Sequence, residues 1–197
     1  FNSFLDPIQL TKTTETVYGI WKTIAGGNSS AASVGSNSGN YPSGYEPDNL
    51  FDNSVYTSYK AYGQCTFLTL PVSSVCGEKT GFYFSPLRGP TLLVVLQFYA
   101  TVGLGFITNP QTLTLEGSNA SPAALTLGSS WTLIYSGVTG LDALVSIGQA
   151  GSIIWVSTNS TWYSSYRLLI TSKAGLETTV SYSEVKFYGY VYNQTLI

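Results

Sequence analysis

The 197 residues hold no histidine, no methionine and two cysteines, and charge is scarce: eight Lys and Arg against ten Asp and Glu, 9% of the chain, with a formal net charge of −2. Without histidine the Ser-His-Asp and Cys-His nucleophile systems are excluded, with the commonest general base and most zinc sites. The scattered cations form no basic stripe of the kind a nucleic-acid partner requires. No apolar run approaches the roughly 20 residues of a membrane-spanning helix, and neither a P-loop nor a Gly-rich dinucleotide fingerprint occurs. Ordinary soluble domains carry roughly 25% charge. Here Ser, Thr, Asn, Gly and Tyr must cover the outside, or glycans or neighbouring subunits must.

Paired carboxylates remain a route to glycoside hydrolysis. The acids include Glu116 and Glu184, but each sits in a strand-like segment with no evident partner, so the expectation is a protein that is not an enzyme. Cys65 and Cys76 bracket "CTFLTLPVSSVC". A disulfide closing that loop is expected, adding roughly 2–3 kcal/mol by restricting the unfolded chain; two separate buried thiols are the alternative. Four N-x-S/T sequons occur, at Asn28, Asn119, Asn159 and Asn193, and Pro122 directly after "NAS" makes Asn119 the weakest glycan acceptor. The chain begins at Phe1 and lacks Met, which fits a mature chain freed of its signal peptide. Together these features predict a secreted, extracellular glycoprotein.

The apolar segments are short and rich in Val, Ile, Thr, Tyr and Phe, which is strand chemistry. "TVYGIWKTI" alternates, placing Tyr18, Ile20 and Ile24 on one face. "TLLVVLQFYA" is a continuous apolar run that suits a buried strand. "QTLTLEGS" turns Leu113 and Leu115 inward and Thr112, Thr114 and Glu116 outward. "SWTLIYSG", "YRLLITS" and "EVKFYGYVY" repeat the pattern, with Gly, Pro, Asn and Ser clusters between. The prediction is all-β, a sandwich or jelly roll. It forms a single domain over 1–197, with a core over about 16–190, terminal extensions at 1–15 and 191–197, and a long surface loop over residues 25–49.

Three motifs in order point further. "NLFDNSVYTSY", with Asn49, Phe51, Asp52, Thr57 and Tyr59 at matching positions, resembles the first signature of discoidin domains, also called coagulation factor 5/8 type C domains, of the galactose-binding-like superfamily. "TLEGSN" before "SSWTLIYSG" is similar to the family's segment ahead of a Trp-containing strand. "YSSYRLLITS" with "SYSEVKFYGY" resembles its closing signature. The resemblance runs from about Ala32 to Tyr190 and implies an eight-stranded jelly roll with its ends close together. There are departures. Asn53 stands where the family has Gly, although Asn tolerates a left-handed backbone. Ser54 replaces a common Asn or Asp, and the Cys65–Cys76 region looks like an insertion.

The resemblance implies one structural calcium ion, with Asp52, Thr57 and Glu184 supplying side chains and carbonyls near Asn49 and Val55 completing six to eight oxygens. The alternative is that Asp52 accepts backbone N–H bonds in an Asx-turn and Glu184 pairs with a nearby cation. Family ligand sites use loops at one end of the barrel. Tyr59, Arg88, Trp162 and Tyr163 are the candidates here, and no clear pair of apolar loop spikes is evident. Two roles follow. One is a structural subunit of an extracellular filament, sheath or matrix that self-associates through terminal segments such as "FNSFLDPIQLTKT". The other is a calcium-dependent carbohydrate-binding adhesion module.

Overall fold

In the computed structural model, residues 6–70, 72–101, 105–141, 146, 148–156 and 159–192 are described, with Gly105 and Phe106 as backbone alone. In chain order the strands are β1 (Ile8–Gln9), β2 (Val17–Trp21), β3 (Ser30–Ala31), β4 (Ser33–Val34), β5 (Asn40–Tyr41), β6 (Tyr59–Ala61), β7 (Thr80–Phe84), β8 (Thr91–Tyr99), β9 (Pro110–Ser118), β10 (Thr132–Val138), β11 (Ile154–Trp155), β12 (Ser165–Lys173), β13 (Val180–Tyr182) and β14 (Glu184–Val191).

Two main sheets form, ordered β1-β14-β8-β11 and β10-β9-β12-β7-β2-β3, with small pairs β13-β6 and β4-β5 beside them. All pairings in the main sheets are antiparallel. Strand periodicity explains the layering, because alternate side chains meet the facing sheet. Leu113 and Leu115 of β9, Phe82 and Phe84 of β7, Leu168 and Ile170 of β12, and Val185 and Phe187 of β14 are all fully buried in one core. Phe51 enters it from the 47–58 loop, its ring 4.9 Å from Phe84 and 5.8 Å from Phe82.

β8 departs from its continuous apolar reading: Leu92, Val94, Gln97 and Tyr99 are only half-buried, because its sheet is covered on one face. In β2, Val17 points to the core while Tyr18 and Ile20 share the outer face, and Ile24 lies beyond the strand and is exposed. The outward position of Glu116 on β9 is not a wet one. Residues 26–29 fold over it, Glu116 Oε1 accepts from Gly26 N at 2.8 Å, and Arg167 Nε of β12 lies 2.7 Å from Oε2. Arg167 Nη1 donates to Gly27 O and Ser29 Oγ, both 2.8 Å, and the guanidinium lies 4.7 Å from the Trp131 ring centre. The outer strands β1, β3 and β11 are two residues long, and the longer outer strand β10 carries a register shift between Leu133 and Tyr135.

Residues 8–10, read as part of a terminal extension, join the chain's own sheet: Ile8 and Gln9 pair with Gly189 and Tyr188, and Leu10 is fully buried. Residues 25–49 do run over the surface, pinned by β3 on β2 and by the parallel β4-β5 pair.

Candidate functional site

The signature loop is held by its own side chains. After the 3-10 turn Pro47–Leu50, Asn53 takes φ 62°, the left-handed conformation the sequence assigns to it. Asp52 Oδ1 accepts from Ser54 N at 2.8 Å, an Asx-turn, and Oδ2 accepts from Thr57 Oγ1 at 2.6 Å. Ser54 N also donates to Glu184 Oε1 at 3.1 Å, which ties the loop to β14. Glu184 Oε2 forms an ion pair with Lys186 Nζ at 2.7 Å, and Lys186 Nζ also donates to Asn53 Oδ1. Burial pushes the Glu184 carboxyl up to about 7; the adjacent Asp52 adds to this, and Lys186 opposes it. Asn49 turns its amide away, donating Nδ2 to Ser58 O and Gly44 O.

This donor set fits a calcium ion poorly. The resemblance brings Asp52, Thr57 and Glu184 together, and the structure does so too. An ammonium, however, lies against the Glu184 oxygen a metal would take. A divalent ion there would face a full positive charge within a few ångströms. The Asx-turn at Asp52 and a cation beside Glu184 are what the alternative reading describes, and that cation is Lys186; the partner that sequence reading missed is Arg167, for Glu116.

Of the four ligand candidates, Trp162 and Tyr163 lie at the start of β8, beside the turn that holds Arg88, and Tyr59 lies toward the other end of that strand. Tyr59 is fully buried, packs against Tyr41 and Tyr182, and points its hydroxyl at Gly81 O, 3.4 Å away. Tyr163 is buried over Gly117, where a Cβ would meet its ring at 2.4 Å. Neither can serve as an open stacking platform. Trp162 is half-buried edge-on to Tyr192, and Arg88 is exposed in the turn before β8. Cys65 and Cys76 are joined as a disulfide, with Cα atoms 5.3 Å apart. Asn28 is exposed with Oδ1 accepting from Gly128 N, whereas Asn119 Nδ2 donates to Trp162 O and Asn159 Nδ2 to Leu93 O. Asn193 lies outside the described residues.

A better-formed site lies at the far end of β8 from Arg88, about 26 Å along the strand. A groove of about 550 Å³ opens there, lined by Pro42, Tyr45, Lys60, Tyr62, Phe67, Thr101, Thr108 and residues 177–179. That volume lies in the range of small-molecule sites. Phe67 projects from the disulfide loop, 65% exposed, and Leu68 and Leu70 beside it are also exposed, so this loop does carry apolar spikes. Lys60 Nζ sits 3.8 Å from the Tyr45 ring centre, a cation–π contact that fixes the ammonium at the groove wall. The Thr101 hydroxyl is buried and has no hydrogen-bond partner among the described residues. One cation, Lys60, and one carboxylate, Glu177, line the groove. Such a balance suits a neutral ligand rich in hydroxyl groups. No local motif marks these positions, which sequence reading missed because five separated segments supply them.

Lys173, at the end of β12, holds the 177–179 wall in place. It is buried, and its Nζ donates to Glu177 O and to Thr179 O. Burial lowers its pKa to about 8, against the opposing pull of Glu177 and Glu78. Between this value and the unfolded value of roughly 10.4 the unfolded chain binds more protons, so stability rises with pH across that window. Urea unfolding from pH 7.5 to 9.5 will therefore show a gain of about 1–2 kcal/mol, and Lys173→Met will flatten the trend. An unchanged slope in the variant would mean another group is responsible.

The sequence matches no family model, and no curated protein is significantly similar to it. Its structure is similar to several solved ones. The family 32 carbohydrate-binding module from C. perfringens NanJ, in complex with galactose, has a TM-score of 0.55 at 9% identity, covering 92% of this chain and 98% of that one. A second CBM32 domain from Clostridium perfringens, in complex with GalNAc-β-1,3-galactose, has a TM-score of 0.53 at 12% identity, covering 91% and 99%. An F5/8 type C domain from Bacteroides fragilis has a TM-score of 0.56 at 7% identity, covering 94% and 97%. These likenesses show the fold: the chain is a discoidin-like jelly roll.

Proposed function

We propose that this chain is a non-catalytic carbohydrate-binding domain that takes a neutral saccharide in the groove between the disulfide loop and residues 177–179. The observation that carries the reading is the lining itself: an exposed Phe67 ring, the Tyr45–Lys60 pair and four threonines at 101, 108, 178 and 179 around about 550 Å³. A pyranose offers an apolar face to an aromatic ring and hydroxyls to polar groups at its rim. Glu177 is the carboxylate among the lining residues described, whereas glycoside hydrolysis uses a pair. Solved domains of this fold hold galactose or a GalNAc-galactose disaccharide, which supports the ligand class. The disulfide fits an oxidising compartment outside the cytosol, and no helix among the described residues is long and apolar enough to cross a membrane.

The filament reading took terminal segments, the N-terminal one among them, as connectors; residues 1–5 and 193–197 of these lie outside the described residues. Residues 8–10 complete the chain's own sheet instead, which moves the weight to the carbohydrate reading.

A glycan array followed by calorimetry tests this. Selected neutral glycans will bind, and Phe67→Ala and Lys60→Ala will each weaken binding about tenfold or more while leaving the melting temperature near that of the wild type. An empty array at high protein concentration would count against the function. Unchanged affinity in both variants would move the ligand elsewhere.

A further inference from the structure

We infer that Lys186 supplies from within the chain the positive charge that the discoidin resemblance assigns to calcium, so that the signature loop is ordered without a metal ion. β14 alternates, and Glu184 and Lys186, on the face opposite Val185 and Phe187, point the same way. The 52–57 loop closes over them: Glu184 is 1% and Lys186 9% exposed. Beneath the loop, Lys186 Nζ reaches both Glu184 Oε2 and Asn53 Oδ1. From the loop side, Ser54 N joins Asp52 Oδ1 to Glu184 Oε1.

This arrangement gives a reason for the departure at residue 53. A glycine there would satisfy the left-handed backbone, φ 62°, but would offer no side-chain oxygen. Asn satisfies the same backbone at modest strain and adds the acceptor that Lys186 uses. The two residues therefore form one device: a tethered cation, and a carbonyl placed to receive it. The Glu184 carboxylate faces this ammonium, while Asp52 accepts from Ser54 N and the Thr57 hydroxyl, and Ser54 N also reaches Glu184. A calcium ion requires six to eight oxygens and no neighbouring cation. It would have to expel Lys186 from a buried ion pair before it could bind.

The inference does not depend on the saccharide reading, because its test involves no sugar. Thermal unfolding of the wild type is measured in EDTA and in millimolar calcium chloride, with calorimetric titration of calcium alone. The expected result is the same melting temperature in both and no binding heat. Lys186→Met, which leaves Glu184 buried without its partner, will melt roughly 5–10 °C lower in EDTA. Lys186→Arg keeps the charge and gives a folded, calcium-insensitive control if the Met variant does not fold. A wild-type melting temperature that rises with calcium would overturn the inference, and so would a Lys186→Met variant as stable as the wild type.

Discussion

Arg167→Met will destabilise the domain by about 3–5 kcal/mol, lowering its melting temperature by roughly 6–20 °C. The guanidinium is fully buried and connects three parts of the chain: Glu116 on β9, the backbone and hydroxyl of residues 27–29, and the Trp131 ring. Methionine approximates the stem but leaves Glu116 buried with Gly26 N as its remaining partner. An unpaired buried carboxylate is what makes such changes severe; the attraction lost counts for less. The double variant Arg167→Met with Glu116→Gln removes both charges and will recover most of the loss. Urea unfolding of the two variants measures this. A single-variant loss under about 1 kcal/mol would mean that residues 26–29 let water reach the pair.

Phe51→Ala is expected to cost about 3–5 kcal/mol, the range for deleting a buried phenylalanine. Its ring sits among Phe82, Phe84 and Phe187, at 5.8, 4.9 and 6.0 Å. It is also the point where the signature loop enters the core, since the residue is 2% exposed while Asn53, two positions on, is exposed. Losing the ring opens a cavity and releases the loop together. Amide exchange at Ser54, whose N–H bridges Asp52 and Glu184, will accelerate along with the global loss. Phe51→Leu keeps most of the volume and will cost less, about 1–2 kcal/mol. Unfolding curves for both variants decide it: equal losses would assign the effect to ring edge contacts and not to volume.

Much of the fold was legible because a sandwich writes itself locally. The alternation in "QTLTLEGS" placed Leu113 and Leu115 correctly, and the signature around Asp52 located a loop whose backbone and Asx-turn follow from residue type. What failed to show was anything assembled across the chain. Arg167 and Glu116 are 51 residues apart, and Lys186 meets Asn53 across 133. No window of sequence displays either pair. The groove is the extreme case, since residues near 42, 60, 67, 101 and 177 converge there. Aromatic type alone misled at Tyr59 and Tyr163, because a tyrosine whose hydroxyl meets a backbone carbonyl, or whose ring lies on a glycine, is as much at home in the core as at a rim.

The outer strands of the two sheets have a bearing on colloidal behaviour. Most proteins discourage edge-to-edge aggregation with lysines along the exposed ladder. With 9% charge this chain has few to place there, and Thr132–Val138 has none. Geometry takes over the task. Among the described residues, three of the four outer strands are two residues long, too short to template an incoming strand, and the fourth breaks its ladder between Leu133 and Tyr135. A neighbour approaching β10 in regular extension would find its hydrogen-bonding groups out of step midway. Irregularity at the edge is thus the feature that works against amyloid-like stacking here.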